Sequence, residues 1–158
     1  MSVHELIYVS RAGVDLTEDQ LESFLGPCRT RNAREGLTGA LVHVHERARL
    51  EEPFQQIEPG EHTRQAFFVQ LLEGQPDAVE QTYRRILRDE LHDEVTVLSR
   101  QERDGRSCEG WRMRLNVVTF DAVRELAGRP AGDGSGDIET YLREPGFARS
   151  LLLDGRQH

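Results

Sequence analysis

Cysteine is scarce in this sequence. Only Cys28 and Cys108 occur, and neither belongs to a CxxC pair. Two widely separated cysteines exclude the disulfide framework of a small secreted domain, and we expect both thiols to be reduced and half-buried. His43 and His45 alternate on a strand-like segment without a cysteine nearby. They are interpreted as structural residues, and no metal site is predicted.

Long apolar runs are absent as well. No stretch of the sequence approaches the roughly 18 apolar residues of a membrane-spanning helix. The N-terminal segment MSVHELIYVS has neither the basic start nor the long apolar stretch of a signal peptide. We therefore expect a cytoplasmic protein without a membrane partner.

Positive charge is in deficit, with 20 lysine and arginine residues against 28 aspartate and glutamate residues and a net charge of −8. A surface of this kind is repelled by phosphate backbones, so no nucleic-acid partner is predicted. Arg29, Arg31 and Arg34 form a local exception. They are interpreted as cations near a helix C-terminus, and contact with a phosphate or another ligand is the alternative.

The apolar patterns predict the element order β-α-β-β-α-β-β. Thr17 and Gln20 form a capping box at the start of the first helix, and the pair Gly26 and Pro27 is expected to kink or end that helix. Pro76 suits the first turn of the second helix. The predicted strands cover 4–10, 37–45, 66–73, 95–102 and 108–115, and the second helix covers 76–92.

This order predicts an α+β fold of the ferredoxin-like type, with a five-stranded mixed sheet, two helices on one face and short C-terminal helices. The first and third strands are expected to lie side by side and parallel in mid-sheet, which brings Tyr8 near Gln70. The predicted domain covers 1–115, with an inserted loop or hairpin at 46–65, and a C-terminal helical extension covers 116–158. We expect the extension either to cap the bare face of the sheet or to meet a second chain.

Tyr8 and Gln70 each bring a polar group into an apolar strand. The glutamine lies among phenylalanines and leucines, and burying its amide unpaired would cost on the order of 1–3 kcal/mol. A hydrogen bond between the two side chains satisfies both, and the remaining amide groups could bind a heteroaromatic ring. Because an amide has a donor end and an acceptor end, turning or tautomerising it rewrites its hydrogen bonds with little change of shape. A solvent-facing glutamine and a tyrosine that only packs in the core are the alternatives.

Four segments, in order, carry a resemblance to a known family. They are LIYVSRA at 6–12, RNAREGLTGAL at 31–41, FFVQLLEG at 67–74 and RSCEGWRM at 106–113. Together they resemble the signature of BLUF domains, which are sensors of blue light using flavin, and the resemblance covers roughly residues 4–115. It implies a flavin held non-covalently between the two helices, with FAD as the expected form and FMN or riboflavin as alternatives.

The resemblance also implies the residues of the site. The photoactive residues it implies are Tyr8, Gln70, Trp111 and Met113. The flavin contacts it implies are Tyr8, Ser10, Leu25, Arg31, Asn32, Gln70, His92 and Met113. Judged alone, Asn32 fits a C-terminal helix cap and Trp111 fits half-buried packing at a sheet edge, and the direction in which Trp111 points stays open.

The function that the resemblance implies is that of a blue-light photoreceptor and not of an enzyme. Light would drive electron transfer from Tyr8 and proton transfer through Gln70, leaving the glutamine with a new hydrogen bond to the flavin. The chain is too short for an added cyclase or phosphodiesterase domain, so we expect 116–158 to pass the signal to an unidentified protein partner or a homo-oligomer. The alternatives are a ferredoxin-like ligand-binding or dimerisation module without photochemistry, and an acylphosphatase-like enzyme that uses Asn32 and an arginine of the basic cluster.

Overall fold

The structure, a computed structural model, describes residues 2–12, 17–45, 66–89, 92–128 and 136–154. The insertion predicted at 46–65 lies outside these ranges. Within them, no helix combines the length and the apolar character needed to cross a membrane. The strands are β1 (Val3–Ala12), β2 (Thr38–His45), β3 (Ala66–Gly74), β4 (His92–Arg103) and β5 (Arg114–Thr119). The helices are α1 (Glu18–Glu35), α2 (Pro76–Leu87), α3 (Phe120–Leu126), α4 (Gly136–Leu142) and α5 (Pro145–Leu153).

The five strands form one sheet in the order β4-β1-β3-β2-β5. β2 and β5 are parallel and the other neighbours are antiparallel, so the predicted α+β architecture with a mixed five-stranded sheet is confirmed. The expectation that β1 and β3 run parallel is wrong, because they pair antiparallel. The reason is topological: α1 returns the chain so that β2 runs in the direction of β1, and β3 reverses and lies between them. The register still places Tyr8 directly opposite Gln70.

Helices cover both faces of the sheet. α1 and α2 pack on the face that carries Leu6, Tyr8, Phe68 and Leu72. α3, α4 and α5 pack on the opposite face, where Leu71 lies. Of the two expectations for the C-terminal helices, capping the bare face is therefore confirmed.

The start of α1 follows its sequence signals, and its middle does not. The backbone N–H of Gln20 donates to Thr17 Oγ1 at 3.2 Å and the backbone N–H of Thr17 donates to Gln20 Oε1 at 2.9 Å, which confirms the capping box. Of the two outcomes expected at Pro27, an end of the helix is wrong, because the helix continues to Glu35. Gly26 has no Cβ to meet the proline ring. Ser23, whose carbonyl loses its partner, is exposed, so water can satisfy that carbonyl.

The strand predicted at 108–115 is wrong over most of its length, because β5 begins only at Arg114. Gly110 has a φ of 84°, a conformation that favours glycine, and the Trp111 N–H donates to the Cys108 carbonyl at 2.9 Å. The chain therefore turns where alternation of polar and apolar residues suggested a strand.

Cys108 lies deeper than expected. Its exposure is 0%, whereas Cys28 is half-buried as predicted. The Ser107 and Cys108 N–H groups each donate to the carboxylate of Glu73 at 2.8 Å, and this pulls the segment against the sheet. Burial, with Glu73 and Glu5 adding to it, raises the pKa of Cys108 to about 12, so the group stays a thiol at neutral pH.

Candidate functional site

A chain of side-chain hydrogen bonds connects β1, β3 and the segment before β5. The Tyr8 hydroxyl donates to Gln70 Oε1, and Gln70 Nε2 donates to Met113 Sδ at 3.2 Å. The three side chains are 0%, 7% and 2% exposed. The pairing of Tyr8 and Gln70 that the residues allowed and the family resemblance implied is present, and both ends of the glutamine amide have partners.

The environment of Tyr8 keeps its phenol protonated. Burial raises the pKa of Tyr8 well above its usual value, and the negative charge of Asp89 and the proximity of Tyr83 and Cys28 raise it further. The Tyr83 ring lies at a centroid distance of 6.0 Å, tilted by 53°. Tyr8 is therefore a neutral hydrogen-bond donor at physiological pH.

A groove between α1 and α2 opens above Gln70. Its residues are Phe24, Leu25, Cys28, Arg31, Asn32, Leu41, Gln70, Leu72, Thr82, Arg85, Ile86, Asp89 and Met113. The walls combine apolar side chains with a few amide, carboxylate and guanidinium groups, as small-molecule sites do. These residues fit a flavin, because such a ring system has an apolar end and an edge of nitrogen and oxygen atoms that needs donors and acceptors.

Asn32 points from α1 towards the segment before β5. Its Nδ2 donates to the Arg112 carbonyl at 2.6 Å, and its side chain lies in the groove. The alternative role of Asn32 as the helix cap is wrong: the cap is Gly36, with a φ of 71° and an N–H directed at the Asn32 carbonyl.

Met113 and Trp111 lie on opposite faces of the sheet. Met113 packs with the α1 and α2 face, whereas Trp111 packs against the core under the C-terminal helices. The Arg114 guanidinium carbon lies 3.8 Å from the centre of the Trp111 ring. On a regular strand, two residues that are two positions apart lie on the same face. Trp111 and Met113 lie on opposite faces because the chain turns at Gly110 and is not a strand here. The structure therefore brings Met113, and not Trp111, to Gln70.

The other predicted site residues are placed as follows. Leu25 and Arg31 line the groove. Ser10 is buried two residues beyond Tyr8 on β1, opposite Phe68. His92 begins β4, and its side chain lies outside what the structure describes.

The histidines that the sequence assigned a structural role are buried on β2. His43 and His45 are 1% and 8% exposed, and the His43 ring packs on Phe68 at a centroid distance of 4.9 Å. In the described part of the chain, no group of three or more His, Cys, Asp or Glu side chains could hold a metal ion.

Sequence reasoning missed much of the α2 side of the groove. Thr82, Arg85, Ile86 and Asp89 line it, and their spacing places them on one helical face that continues beyond the end of α2. On α1, Phe24 belongs to the apolar stripe that the sequence shows. In the structure its side chain is 37% exposed and lines the groove, so an apolar residue that the core does not bury was the signal for this wall.

Comparison with protein families and curated proteins gives matches over this region. A family model described as "BLUF: Sensors of blue-light using FAD" matches residues 3–63 and 61–114. The chain is similar to the photoactivated adenylate cyclase subunit beta of Euglena gracilis, with 31% identity over 93 residues that make up 59% of this chain and 8% of that protein. A subunit beta-like protein FB of the same organism is 29% identical over 93 residues, with the same coverage. The chain thus spans only a small part of the length of these relatives.

Solved structures share the fold. BlrB, a BLUF protein in its dark state, has a TM-score of 0.64 at 24% identity, with 95% of this chain and 92% of that chain covered. The photo-activated state of BlsA has a TM-score of 0.62 at 21% identity, with 100% and 99% covered. A bacterial light-regulated adenylyl cyclase has a TM-score of 0.56 at 20% identity, with 95% and 35% covered. At these identities the similarity establishes the ferredoxin-like α+β fold.

Proposed function

Because this chain belongs to the BLUF family, the sensors of blue light using FAD, we propose that it is a flavin-dependent blue-light photoreceptor. One observation carries the proposal: Tyr8, buried beneath the groove, is hydrogen-bonded through Gln70 to Met113, and both Gln70 and Met113 line the groove. Among the three hydrogen-bonded side chains, only Gln70 has a donor and an acceptor on the two ends of one planar amide. A group of this kind can exchange its hydrogen bonds by turning, which is what a switch requires.

The groove is the proposed flavin site. Leu25 and the other apolar side chains would hold the ring system, and Asn32 and Gln70 would face its polar edge. Arg31 is exposed at the groove and suits a phosphate of FAD or FMN, whereas riboflavin would leave it without such a partner. FAD is the proposed form, and residues 1–115 are the proposed flavin-binding unit.

The proposed mechanism uses the three linked side chains. A bound flavin supplies an electron acceptor that blue light excites. Tyr8 is the proposed electron donor, and its hydroxyl proton already has Gln70 Oε1 as its acceptor. Rearrangement of the Gln70 amide exchanges its donor and acceptor ends, which breaks the hydrogen bond from Nε2 to Met113 Sδ. When the electron and the proton return to Tyr8, the rearranged amide remains as the record of illumination.

The proposed signal leaves the site through the segment that carries Met113. The next residue, Arg114, stacks on Trp111, and its Nη2 donates to the Leu152 carbonyl at 2.9 Å and the Asp154 carbonyl at 2.8 Å. Residues on the groove face are thus joined to the end of α5 on the opposite face. A change in the position of Met113 can therefore shift the position of α5. One end of this connection contacts the groove face, and the other end contacts the C-terminal helices. The proposed output is a contact with another protein or a change of oligomer, and no catalytic role is proposed for this chain.

An absorption spectrum before and after blue light tests the function, with variants at the two linked residues. Purified wild-type protein should carry a yellow flavin and shift its absorption to the red on illumination. Tyr8→Phe removes the hydroxyl and Gln70→Leu removes the amide, so both should retain flavin and lose the red-shifted state.

Tyr141→Phe, a partly buried tyrosine of α4 away from the groove, is the matched control and should switch normally. A normal red shift in Tyr8→Phe would refute the donor role. A wild-type protein that binds no flavin would instead favour the ligand-binding or dimerisation module without photochemistry.

A further inference from the structure

Three consecutive backbone carbonyls before β5 are each bound by a donor from another element. The Trp111 carbonyl accepts from the Gly39 N–H at 2.9 Å. The Arg112 carbonyl accepts from Asn32 Nδ2 at 2.6 Å, and the Met113 carbonyl accepts from Arg29 Nε at 3.0 Å. Two of these donors are side chains of α1, so this helix determines where the backbone at Met113 lies.

The Arg29 side chain is itself oriented by Glu22, seven residues earlier on α1. Arg29 Nη1 and Nη2 donate to the two carboxylate oxygens at 2.8 Å and 3.3 Å. The guanidinium is a rigid planar fork, so fixing two of its nitrogens aims the third, Nε, at the Met113 carbonyl. Glu22 and Arg29 are 47% and 30% exposed, so the pair acts as a guide for geometry more than as a source of stability.

The side chain of Met113 borders the groove and lies between Gly39 and Gln70. Its Sδ accepts from Gln70 Nε2 at 3.2 Å, and its Cε lies 3.0 Å from the place that a Cβ on Gly39 would occupy. A methionine is flexible by nature, with three rotatable bonds in its side chain. The contact with Gln70 therefore depends on a fixed backbone at Met113.

We propose that Arg29, oriented by Glu22, is a positioning residue of the light switch: it holds the Met113 carbonyl so that the thioether stays against Gln70 Nε2. This inference rests on the proposed photoreceptor function. Arg29 touches neither Gln70 nor the groove, and it acts on the glutamine only through Met113. Its effect is to stabilise the amide orientation that the structure shows, to which the protein returns in the dark.

The positioning of Met113 can be measured without photochemistry. The sequence contains two methionines, Met1 and Met113, so protein labelled with 13C at the methionine methyl groups has one signal besides that of the first residue, and this signal comes from Met113, which is buried. Arg29→Gln should shift or broaden the Met113 signal in the dark, and Glu22→Gln should change it in the same direction by less. Arg34→Gln removes the same charge from an exposed position of α1 and should leave the signal unchanged.

The rate of return to the dark state tests the consequence for the switch. Return requires Met113 to be in place as the acceptor for Gln70, so Arg29→Gln should slow it by about three- to tenfold, while Arg34→Gln returns at the wild-type rate. An Arg29→Gln protein that is less stable but has the wild-type methyl signal and the wild-type or a faster return rate would overturn the inference, because a purely structural arginine behaves in that way.

The two proposals fail in different ways. If the wild type shows no red shift, the photoreceptor function fails, and the methyl spectra still decide whether Arg29 positions Met113. If the wild type switches and Arg29→Gln matches it in both measurements, the inference about Arg29 fails alone.

Discussion

A fully buried phenol resists ionisation, because its anion would lose the stabilisation that water gives it. Tyr8 is held in this way: burial raises its pKa well above the usual value, and Asp89 adds to the shift. In the unfolded chain the same group ionises at about pH 10. Its contribution to stability is therefore fully present below about pH 10 and is lost as the pH rises from there towards the raised pKa of the folded state.

Tyr8→Phe should accordingly flatten the loss of stability in alkali. Above about pH 10 the ionisation of this one phenol in the unfolded state should remove up to about 1.4 kcal/mol per pH unit from the wild-type free energy of unfolding, and the variant should lack this contribution. Urea unfolding of both proteins between about pH 8 and pH 11 measures the two slopes. Equal slopes would mean that the phenol already ionises in the folded protein.

The contact of Tyr8 with Gln70 could be predicted from the residues together with the family resemblance: two polar groups in neighbouring apolar strands can satisfy each other by pairing, and the four ordered motifs favoured this over a solvent-facing glutamine. The partner of Asn32 could not. Its amide binds the backbone carbonyl of Arg112, and a backbone acceptor that is distant in sequence leaves no mark in the residue types. The direction of Trp111 was hidden for a related reason, since it depends on the turn at Gly110.

Local signals along α1 predicted its start and misplaced its end. Thr17 and Gln20 cap the helix as their spacing indicates, whereas Pro27, the strongest breaker in the segment, is accommodated. The stop comes instead at Gly36, whose N–H and that of Leu37 are both directed at the Asn32 carbonyl. A glycine that ends a helix in the left-handed conformation explains the boundary better than the proline does.

Gly36 offers a test of that boundary. Its φ is 71°, and a Cβ at this position would meet no atom within 4 Å, so the cost of a side chain comes from the backbone conformation alone. Gly36→Ala should lower the free energy of unfolding by about 1 kcal/mol, and Gly36→Asn should cost less because asparagine tolerates this conformation. Urea unfolding of the two variants compares them, and an alanine variant as stable as the wild type would exclude the helix end as a source of stability.

The segment 108–115 shows why the last strand was misjudged. Its alternation of polar and apolar residues satisfies the rule for a strand, but three of its carbonyls bind donors from β2 and α1 in place of a ladder. The alternation of polar and apolar residues indicates which side chains are buried. It does not indicate which backbone groups already have hydrogen-bond partners outside a sheet. Elements whose hydrogen bonds are local are therefore predicted more accurately than segments held by distant side chains.

Taken as a whole, the molecule is a sheet between two helical layers that serve different parts of the proposed function. The same strand, β3, contributes to both faces: Gln70 faces the groove, and Glu73 binds the segment 106–108 on the opposite side. The layer of α1 and α2 follows from two long amphipathic patterns. For α3 to α5 the sequence left two surfaces open, the bare face of the sheet and a second chain, because helices of seven to nine residues are too short for their apolar positions to show which surface they cover.

Arg149 joins α5 to the sheet at a point far from the groove. Its Nη1 donates to Glu5 Oε1 at 2.6 Å and its Nη2 donates to Ser107 Oγ, and the Glu5 side chain is fully buried. Arg103 lies 3.1 Å from the other carboxylate oxygen. The carboxylate thus depends on two arginines, one from the sheet and one from the C-terminal layer.

Removing one of these arginines leaves a buried charge only partly compensated. Arg149→Met should lower the free energy of unfolding by about 1–3 kcal/mol, less than for a fully buried pair because Arg103 remains and Arg149 is partly exposed. Arg143→Met removes an exposed arginine that pairs with the partly buried Glu139, which keeps Arg11 as a partner, and should cost below about 1 kcal/mol. Urea unfolding separates the two, and equal small losses would show that α5 is held by its apolar contacts alone.

Because Arg149 lies on the face opposite the groove, its loss should leave flavin binding unchanged, so a variant that also loses flavin would show that the two layers do not act as separate units.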